Sequence, residues 1–392
     1  MKIYFTALFL FFAVFINAQN CAAPSTGFTP INDLGTGISP ITGLMGGLYS
    51  GGSNYIPSAH KTAGLQMASQ VECLDANGIP DAVNGKIVWL SIGMSNCTQE
   101  TQQFRTLANA FAGKNPQLTL VDGAQGGQTA QVISAPWNSG YANFWTTVGT
   151  RLASAGVTAN QVQVIWLKEA NQVGATLPQL YYDSLVVQFK RIANELKTRF
   201  PNVQLCYMAS RISARYSTTT LNPEPHSYWT GWAVKKVIAD QISGDAQLAY
   251  SGSAAKSPWL AWGIYMWSDG NTPQASNPNV FFTCPTDYQN DGTHPSTVGA
   301  QKVGGLLLNF FSTDSTCTPW FLGSSCAVGT GITNDPDKNA ITIYPNPSSG
   351  WFNVIASSDA LIRTKQSHLE IYNMIGEKIY SCLLYTSPSP RD

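Results

Sequence analysis

The chain has 392 residues, enough for one large domain or two smaller ones. Lysine plus arginine and aspartate plus glutamate are equal at 22 each, so the formal net charge is zero. This balance gives no electrostatic reason to expect a nucleic acid or an anionic membrane as partner, and we expect no nucleic-acid binding.

The first 18 residues have the pattern of a signal peptide. Lys2 precedes the apolar run IYFTALFLFFAVFI, and Ala18 supplies the small residue after which cleavage is expected. A membrane anchor is the alternative, but the run is short for a full span, so we expect export. No other stretch could span a bilayer, and we expect no transmembrane segment in the mature protein.

Eight cysteines are scattered along the chain, and none forms a C-x-x-C motif. The sequence therefore lends no support to a zinc site or a thioredoxin-type motif, and we expect no metal. Export permits disulfides. Cys317 and Cys326 bracket a short loop, and we predict that they pair.

Five apolar runs rich in β-branched residues alternate with helical patterns, which predicts a parallel sheet covered by helices on both faces. The clearest predicted helix, Leu177–Phe200, carries apolar residues at helical spacing. In such sheets, ligands bind beyond the carboxyl ends of the strands. The predicted strands are Ile87–Ile92, Leu118–Val121, Val162–Leu167, Val203–Met208 and Trp259–Tyr265.

The composition changes after the predicted α/β domain, which we place at residues 19–322. Residues 323–340 are rich in Gly, Ser, Asn, Asp and Thr, a composition typical of a linker. Residues 341–381 contain two alternating strand patterns around Pro and Gly turns, which predicts a small β module.

Within this module, YPNP from Tyr344, Gly350, and IYN from Ile371 with Gly376 resemble the C-terminal sorting domain of the type IX secretion system. The resemblance implies that the secretion machinery is a partner and that the protein is secreted or held at the cell surface. That family continues with further strands, whereas Cys382–Asp392 resembles the translation of a sequencing adapter. We therefore expect the module to be truncated and residues 382–392 to be an artefact.

Polar and glycine residues follow the predicted strands where the chemistry of such a fold is expected. A serine follows the first strand, a glycine pair the second and an asparagine the third, and an Asp-x-x-His sequence precedes the last helix. In chain order these residues are Ser95, Gly126 and Gly127, Asn171, and Asp291 with His294.

This set can carry out nucleophilic catalysis. A serine hydroxyl becomes a nucleophile when a histidine takes its proton, and a carboxylate orients that histidine. The N–H of Ser95, an N–H of Gly126 or Gly127 and the Asn171 amide could then hold an oxyanion. We expect a helix beginning near Thr98, whose N-terminal amides would favour negative charge.

Each element also has a simpler interpretation. A serine after a strand is more often a turn or helix-cap residue, and a glycine pair is usually a turn. Asn171 could satisfy a local backbone group, and Ser296 could cap the last helix. Their order on a β-α framework is what favours catalysis.

The same order resembles the SGNH (GDSL-type) hydrolases, a flavodoxin-like three-layer α/β fold of esterases and lipases. The blocks IGMSN, DGAQGG, KEAN and DGTHPS carry the resemblance, over about residues 85–311. Gly93-x-Ser95-Asn96 is nearest the carbohydrate acetylesterase branch, which includes sialate O-acetylesterase-like proteins. The resemblance implies ester hydrolysis through an acyl-serine, without a metal or other cofactor. The sequence departs from the family at Met94, Glu169 and Gln172.

We therefore expect a secreted serine esterase that acts on acyl, most simply acetyl, esters of carbohydrate. Only 11% of the residues are charged, and the chain has 11 tryptophans. Both features are consistent with sugar contacts. A lipase on the same triad and a non-catalytic carbohydrate-binding protein remain alternatives. Candidate substrate-binding residues, which could equally be packing or surface residues, are Glu169, Arg211, Arg215, Tyr216 and Trp229.

Overall fold

The computed structural model describes residues 19–173 and 177–323, together with the backbone of four strands between residues 341 and 384. The chain divides into two compact units, Met1–Ala327 and Val328–Asp392. The predicted signal peptide, almost all of the predicted linker and the last eight residues lie outside the described residues.

The first unit is built on a five-stranded sheet in the order β2-β1-β3-β4-β5, with every neighbouring pair parallel. This is the flavodoxin-like strand order, and it confirms the predicted α/β fold class. The strands are β1 (Ile87–Gly93), β2 (Leu118–Asp122), β3 (Val162–Lys168), β4 (Leu205–Met208) and β5 (Trp259–Trp262).

Helices precede the sheet, connect its strands and follow it, as parallel strands require. In the described part of the unit they are α1 (Ile31–Leu34), α2 (Ser58–Ser69), α3 (Ser95–Ala110), α4 (Ala130–Ile133), α5 (Tyr141–Ser154), α6 (Pro178–Arg199), α7 (His226–Ile242), α8 (Thr297–Thr313) and α9 (Thr318–Phe321).

Strand β1 shows how the sheet sorts its side chains into two cores. Every β1 residue is buried, so the strand is apolar on both faces. Trp89 packs with Phe104 of α3 and Phe311 of α8. Val88 and Leu90 belong to the opposite core, which is built with α5, α6 and α7. The sheet is therefore the middle of three layers.

The structure moves three element boundaries by two residues or more. Helix α3 begins at Ser95 rather than near Thr98, because the Thr98 N–H already donates to the Met94 carbonyl at 3.0 Å. Strand β4 begins at Leu205, because the Val203 N–H closes a turn onto Phe200. Strand β5 ends at Trp262, although the Gly263 N–H still donates to the Met208 carbonyl of β4 at 2.8 Å.

The predicted disulfide between Cys317 and Cys326 is wrong. Cys317 is a buried free thiol in the core that contains Trp89, whereas Cys326 lies outside the described residues. Cys21 instead pairs with Cys284, which ties the segment around residue 21 to the segment before α8. Cys73 is disulfide-bonded too.

The second unit contains two antiparallel strand pairs. Strand β6 (Ile341–Tyr344) pairs with β7 (Asn353–Ala356), and β8 (Ser367–Tyr372) pairs with β9 (Lys378–Leu384). Strand β9 thus continues past Ser381 into residues that resemble an adapter translation. The end of the β module at residue 381 therefore stays a prediction.

No helix in the described segments has both the length and the hydrophobicity needed to cross a membrane.

The Cys21–Cys284 bridge closes a loop between residues 263 positions apart and restricts the unfolded chain. We expect Cys21→Ser to lower the free energy of unfolding by about 2–4 kcal/mol in urea titration. The Cys21→Ser/Cys284→Ser double variant should lose no more than either single variant. Additive losses would contradict a stabilising bridge between these residues.

Candidate active site

The junction between β1 and α3 presents Ser95 at the carboxyl edge of the sheet. A Cβ on Gly93 would lie 2.3 Å from the Lys168 carbonyl oxygen and 2.5 Å from Cys97 Cβ, so a side chain does not fit there. The chain passes through extended Met94 and enters α3 at Ser95, which is partly buried. The local packing therefore forces an abrupt strand-to-helix turn whose first helical residue is the serine.

The structure brings Ser95, His294 and Asp291 into one hydrogen-bonded chain. Ser95 Oγ lies 2.6 Å from His294 Nε2, although the residues are 199 positions apart. His294 Nδ1 is hydrogen-bonded to Asp291 Oδ2. With the ring proton on Nδ1 facing the carboxylate, Nε2 is free to accept the serine proton. This is the arrangement of a serine nucleophile with its base.

The Asp291 carboxylate is held in its charged form. Its Oδ1 accepts the backbone N–H groups of Thr293 and His294, each at 2.9 Å. Burial alone would raise the pKa of Asp291, but the hydrogen bonds from His294 and Thr293 outweigh it and lower this pKa to about 2. Asp291 is therefore ionised throughout the neutral range and can orient His294.

The Asp291–His294 turn rests on the segment after β4. A Cβ on Gly292 would lie 1.9 Å from the Tyr216 carbonyl oxygen, and Gly292 has φ +64°. Both features require glycine. The Thr218 N–H donates to the Asp291 carbonyl at 3.2 Å. The Asp291–His294 turn is thus fixed by backbone contacts rather than by a helix or a strand.

The glycine block lies directly beside the serine. The Gln125 N–H donates to the Gly93 carbonyl at 2.9 Å, which anchors the loop after β2 to the end of β1. A Cβ on Gly126 would lie 3.7 Å from Ser95 Cβ, and Gly127 has φ +74°. The N–H of Ser95 belongs to the first turn of α3, where helix N–H groups have no partner within the helix. Ser95 and Gly126 thus lie side by side, and both line one pocket.

Asn171 is placed differently from its predicted role. Its Oδ1 accepts the Gln131 N–H at 2.9 Å and so caps the start of α4, while its Nδ2 donates to Gln188 Oε1 at 2.6 Å. The neighbouring Gln172 lines the pocket beside Ser95 instead. In the sequence, Gln172 is distinguished only as a position where the chain departs from the SGNH family pattern.

Ser95 and His294 open into a pocket of about 260 Å³. The pocket combines one cation and several polar groups with two large apolar side chains. Its described lining consists of Met94, Ser95, Gly126, Gly127, Thr129, Gln172, Arg211, Leu221, Thr293 and His294. Thr129 and Leu221 had no distinguishing signal in the sequence, because loop packing alone brings them to the pocket.

Of the five residues expected to bind substrate, only Arg211 lines this pocket in the described structure. Glu169 is completely buried, and its Oε2 accepts the Ala170 N–H at 3.2 Å. Burial raises the pKa of Glu169 well above its ordinary value.

The other three residues have structural contacts away from the pocket. The Arg215 guanidinium faces Asp269 Oδ1 at 3.6 Å. The Tyr216 ring is buried against Tyr288, with ring centroids 5.2 Å apart. Trp229 is buried within α7, in the core that contains Val88 and Leu90. In this structure these three side chains therefore contribute to packing and do not line the pocket.

A buried ion pair underlies the site. Lys168 at the end of β3 and Glu100 in α3 have completely buried side chains, and Nζ lies 2.6 Å from Oε2. Burial lowers the pKa of Lys168, and the attraction of Glu100 opposes this effect. The pair ties the helix that carries Ser95 to the neighbouring strand.

Within the described ranges, no three His, Cys, Asp or Glu side chains lie close enough together to hold a metal ion.

Comparison with known families identifies the second unit. A family described as the secretion system C-terminal sorting domain matches residues 342–387, which confirms the predicted sorting domain. Such a domain implies export of the chain through the type IX machinery to the cell surface or beyond it. The match extends six residues past the predicted end at residue 381.

The first unit has weaker similarities. No curated protein matches the chain. A solved structure from Streptococcus pneumonia, described as that of a candidate platelet activating factor, is 13% identical with a TM-score of 0.33. The alignment covers 64% of this chain and 92% of that one. This similarity is too low to support a fold assignment. The fold is assigned from the order and direction of the strands in the sheet.

The lowered pKa of Asp291 predicts a pH-dependent contribution to stability. This contribution is fully present above the ordinary carboxyl pKa of 3.8 and is lost as the pH falls toward 2. We expect Asp291→Asn to lower the melting temperature most at pH 5–7. By calorimetry, the difference from wild type should shrink below about pH 4. A difference that stays constant as the pH falls would contradict this assignment.

Proposed function

We propose that the protein is an exported serine esterase that hydrolyses acyl esters, foremost acetyl esters, on carbohydrate. The observation that carries the proposal is the distance of 2.6 Å between Ser95 Oγ and His294 Nε2, with Asp291 bonded to the opposite ring nitrogen. The sorting domain supports an extracellular site of action.

The acylation step follows from this geometry. His294 Nε2 takes the proton of Ser95 as Oγ attacks the carbonyl carbon of the ester, and Asp291 stabilises the resulting imidazolium. The tetrahedral intermediate collapses when the bond to the alcohol oxygen breaks. The alcohol then leaves with the proton from His294, and the acyl group remains on Ser95.

Deacylation repeats the sequence with water as the nucleophile. His294 takes a proton from water, the hydroxyl oxygen attacks the acyl carbon, and the bond to Ser95 Oγ breaks. Ser95 regains its proton from His294, and the carboxylic acid leaves. No residue changes its net protonation state over the cycle.

The developing oxyanion would be held by backbone donors. The N–H groups of Ser95 and of Gly126 or Gly127 are the candidates, supported by the N-terminus of α3. Asn171 is proposed as a third donor, which requires its amide to exchange the Gln188 contact for the oxyanion.

The size and lining of the pocket support a short acyl group. A volume of about 260 Å³ lies below the usual range for drug-sized ligands of about 300–1,000 Å³. Met94 and Leu221 are the large apolar side chains in its described lining. A long acyl chain would leave much of its apolar surface in water, which disfavours a lipase.

We expect Ser95→Ala to reduce kcat/KM for p-nitrophenyl acetate by at least about 10³-fold, because the nucleophile is removed while the fold is retained. Ser154→Ala, which changes an exposed helical serine in α5, is the matched control and should keep wild-type turnover. Initial rates at 405 nm provide the measurement.

The substrate assignment is tested with the same pair of variants. Wild type should release acetate from acetylated polysaccharides and prefer acetyl over octanoyl esters. A preference for octanoyl would favour a lipase. Sugar binding that persists in Ser95→Ala, with no hydrolysis by wild type, would identify a carbohydrate-binding protein and contradict the enzyme proposal.

A further inference from the structure

A second pocket, of about 440 Å³, lies between the segment around α1, the chain after β5 and the C-terminal half of α8. It shares no described lining residue with the pocket beside Ser95. Helix α8 begins just after the turn that carries His294, and its 17 residues extend about 25 Å toward Asp314, which lines the second pocket. The volume falls within the usual range of about 300–1,000 Å³ for small-molecule sites.

Buried amides hold the wall of this second pocket in place. The Gln274 amide donates to the carbonyls of Tyr265 and Trp267 at 3.1 and 2.8 Å, and its Oε1 accepts from Asn32 Nδ2 at 2.7 Å. Asn54 Nδ2 donates to the Asn32 backbone carbonyl at 2.8 Å. Because these bonds form without a ligand, binding in the pocket orders few side chains, which favours affinity.

Several polar groups in the lining have capacity that the described protein leaves unused. Asn32 is 8% exposed, and its Oδ1 is buried without a partner among the described residues, which is costly. Asp314 Oδ1 accepts the N–H and the hydroxyl of Thr316 at 2.8 and 2.6 Å, but no described cation lies within 4 Å of this carboxylate. The side-chain amides of Asn277 and Asn309 form no hydrogen bond with described residues.

The types of these groups select the chemistry of a ligand. The oxygens of Asn32 and Asp314 need donors, whereas the amide of Asn309 offers both donors and an acceptor. Sugar hydroxyls donate and accept, so they match both kinds of group. An anion offers acceptors alone and would face Asp314 without help, because no Lys, Arg or His belongs to the described lining. An ammonium group donates only and would leave the amide N–H groups unpaired.

An apolar wall completes the second pocket. Leu306 and Phe310 lie one turn apart on α8, and both are half-buried in the lining. A Cβ on Gly263 would lie 3.8 Å from Phe310 Cε1, so the ring packs beside bare backbone at the end of β5. Aromatic rings provide a large apolar contact surface, which suits the C–H face of a sugar ring.

We infer that this second pocket binds a neutral sugar unit of a glycan. Hydroxyl groups donate to Asp314 and accept from the Asn309 amide, and one more, directly or through a bound water, supplies the donor that Asn32 Oδ1 lacks. The apolar face of the sugar packs on Phe310. The inference does not rest on the proposed esterase function, because none of these groups belongs to the triad.

The experiment is native affinity electrophoresis of the full-length protein in gels that contain arabinoxylan, galactomannan, mixed-linkage β-glucan or pullulan. These polymers carry no ester and no charge. We expect at least one of them to retard wild type and Ser95→Ala equally. Asn309→Ala should raise the apparent Kd about five- to tenfold. Thr313→Arg, at an exposed lining residue, should fill the pocket and abolish retardation.

The matched control is Gln301→Ala, which removes an exposed amide from α8 outside the described lining and should bind like wild type. Far-UV circular dichroism checks that each variant is folded. An oligosaccharide of the retained polymer is then compared with spermidine by isothermal titration. Asp314→Asn, which keeps the shape without the charge, should retain part of the sugar affinity.

Three results would overturn the inference while leaving the esterase proposal intact, since that proposal is judged by turnover of p-nitrophenyl acetate. One is no retardation of wild type by any of the four polymers. Another is retardation that is lost in Ser95→Ala, or is unchanged in Asn309→Ala or Thr313→Arg. The third is tighter binding of spermidine than of the oligosaccharide, abolished in Asp314→Asn, which would identify a cation site. Retardation with the expected variant pattern, in a protein that hydrolyses no ester, would support the inference while the proposed function fails.

Discussion

The position of Ser95 depends on the buried ion pair between Lys168 and Glu100. Both side chains are fully removed from water, and neither charge would be stable there without the other. Because Lys168 ends β3 and Glu100 lies in α3, their contact fixes α3, which carries Ser95, against the strand beside it. Replacing one partner would leave a buried charge, which typically costs about 3–5 kcal/mol.

The parallel sheet supplies the second part of this arrangement. All five strands point the same way, so the loops after β1, β2 and β4 meet at one edge. Gly93 is in close contact with the Lys168 carbonyl, and the loop carrying Gly126 is bonded back to the Gly93 carbonyl. Residues far apart in the chain thus surround one small pocket whose charge is dominated by Arg211.

The features of the site that depend on strand order could be predicted from the sequence. Alternating strands and helices predicted the sheet, and the residues after them predicted which side chains would meet. The contact between Ser95 and His294 follows from that order, because the turn before α8 returns to the end of β1. The sorting domain was predictable because its motifs are short and contiguous in the chain.

Features that depend on side-chain direction could not be predicted in this way. Asn171 follows β3 as expected, but its hydrogen bonds with Gln188 and with the Gln131 N–H of α4 could not be read from the sequence. Nearness in sequence also favoured Cys317 with Cys326, whereas the fold buries the Cys317 thiol. Pairing over long distances, as between Cys21 and Cys284, leaves no local pattern.

The central claim is that Ser95 is an activated nucleophile, and covalent labelling tests it most directly. The full-length protein is treated with a fluorophosphonate, and the modified peptide is identified by mass spectrometry. The structure predicts one adduct, on Ser95, that is absent from Ser95→Ala and much slower to form in His294→Ala. No adduct on native protein, or an adduct on another residue that persists in Ser95→Ala, would contradict the account.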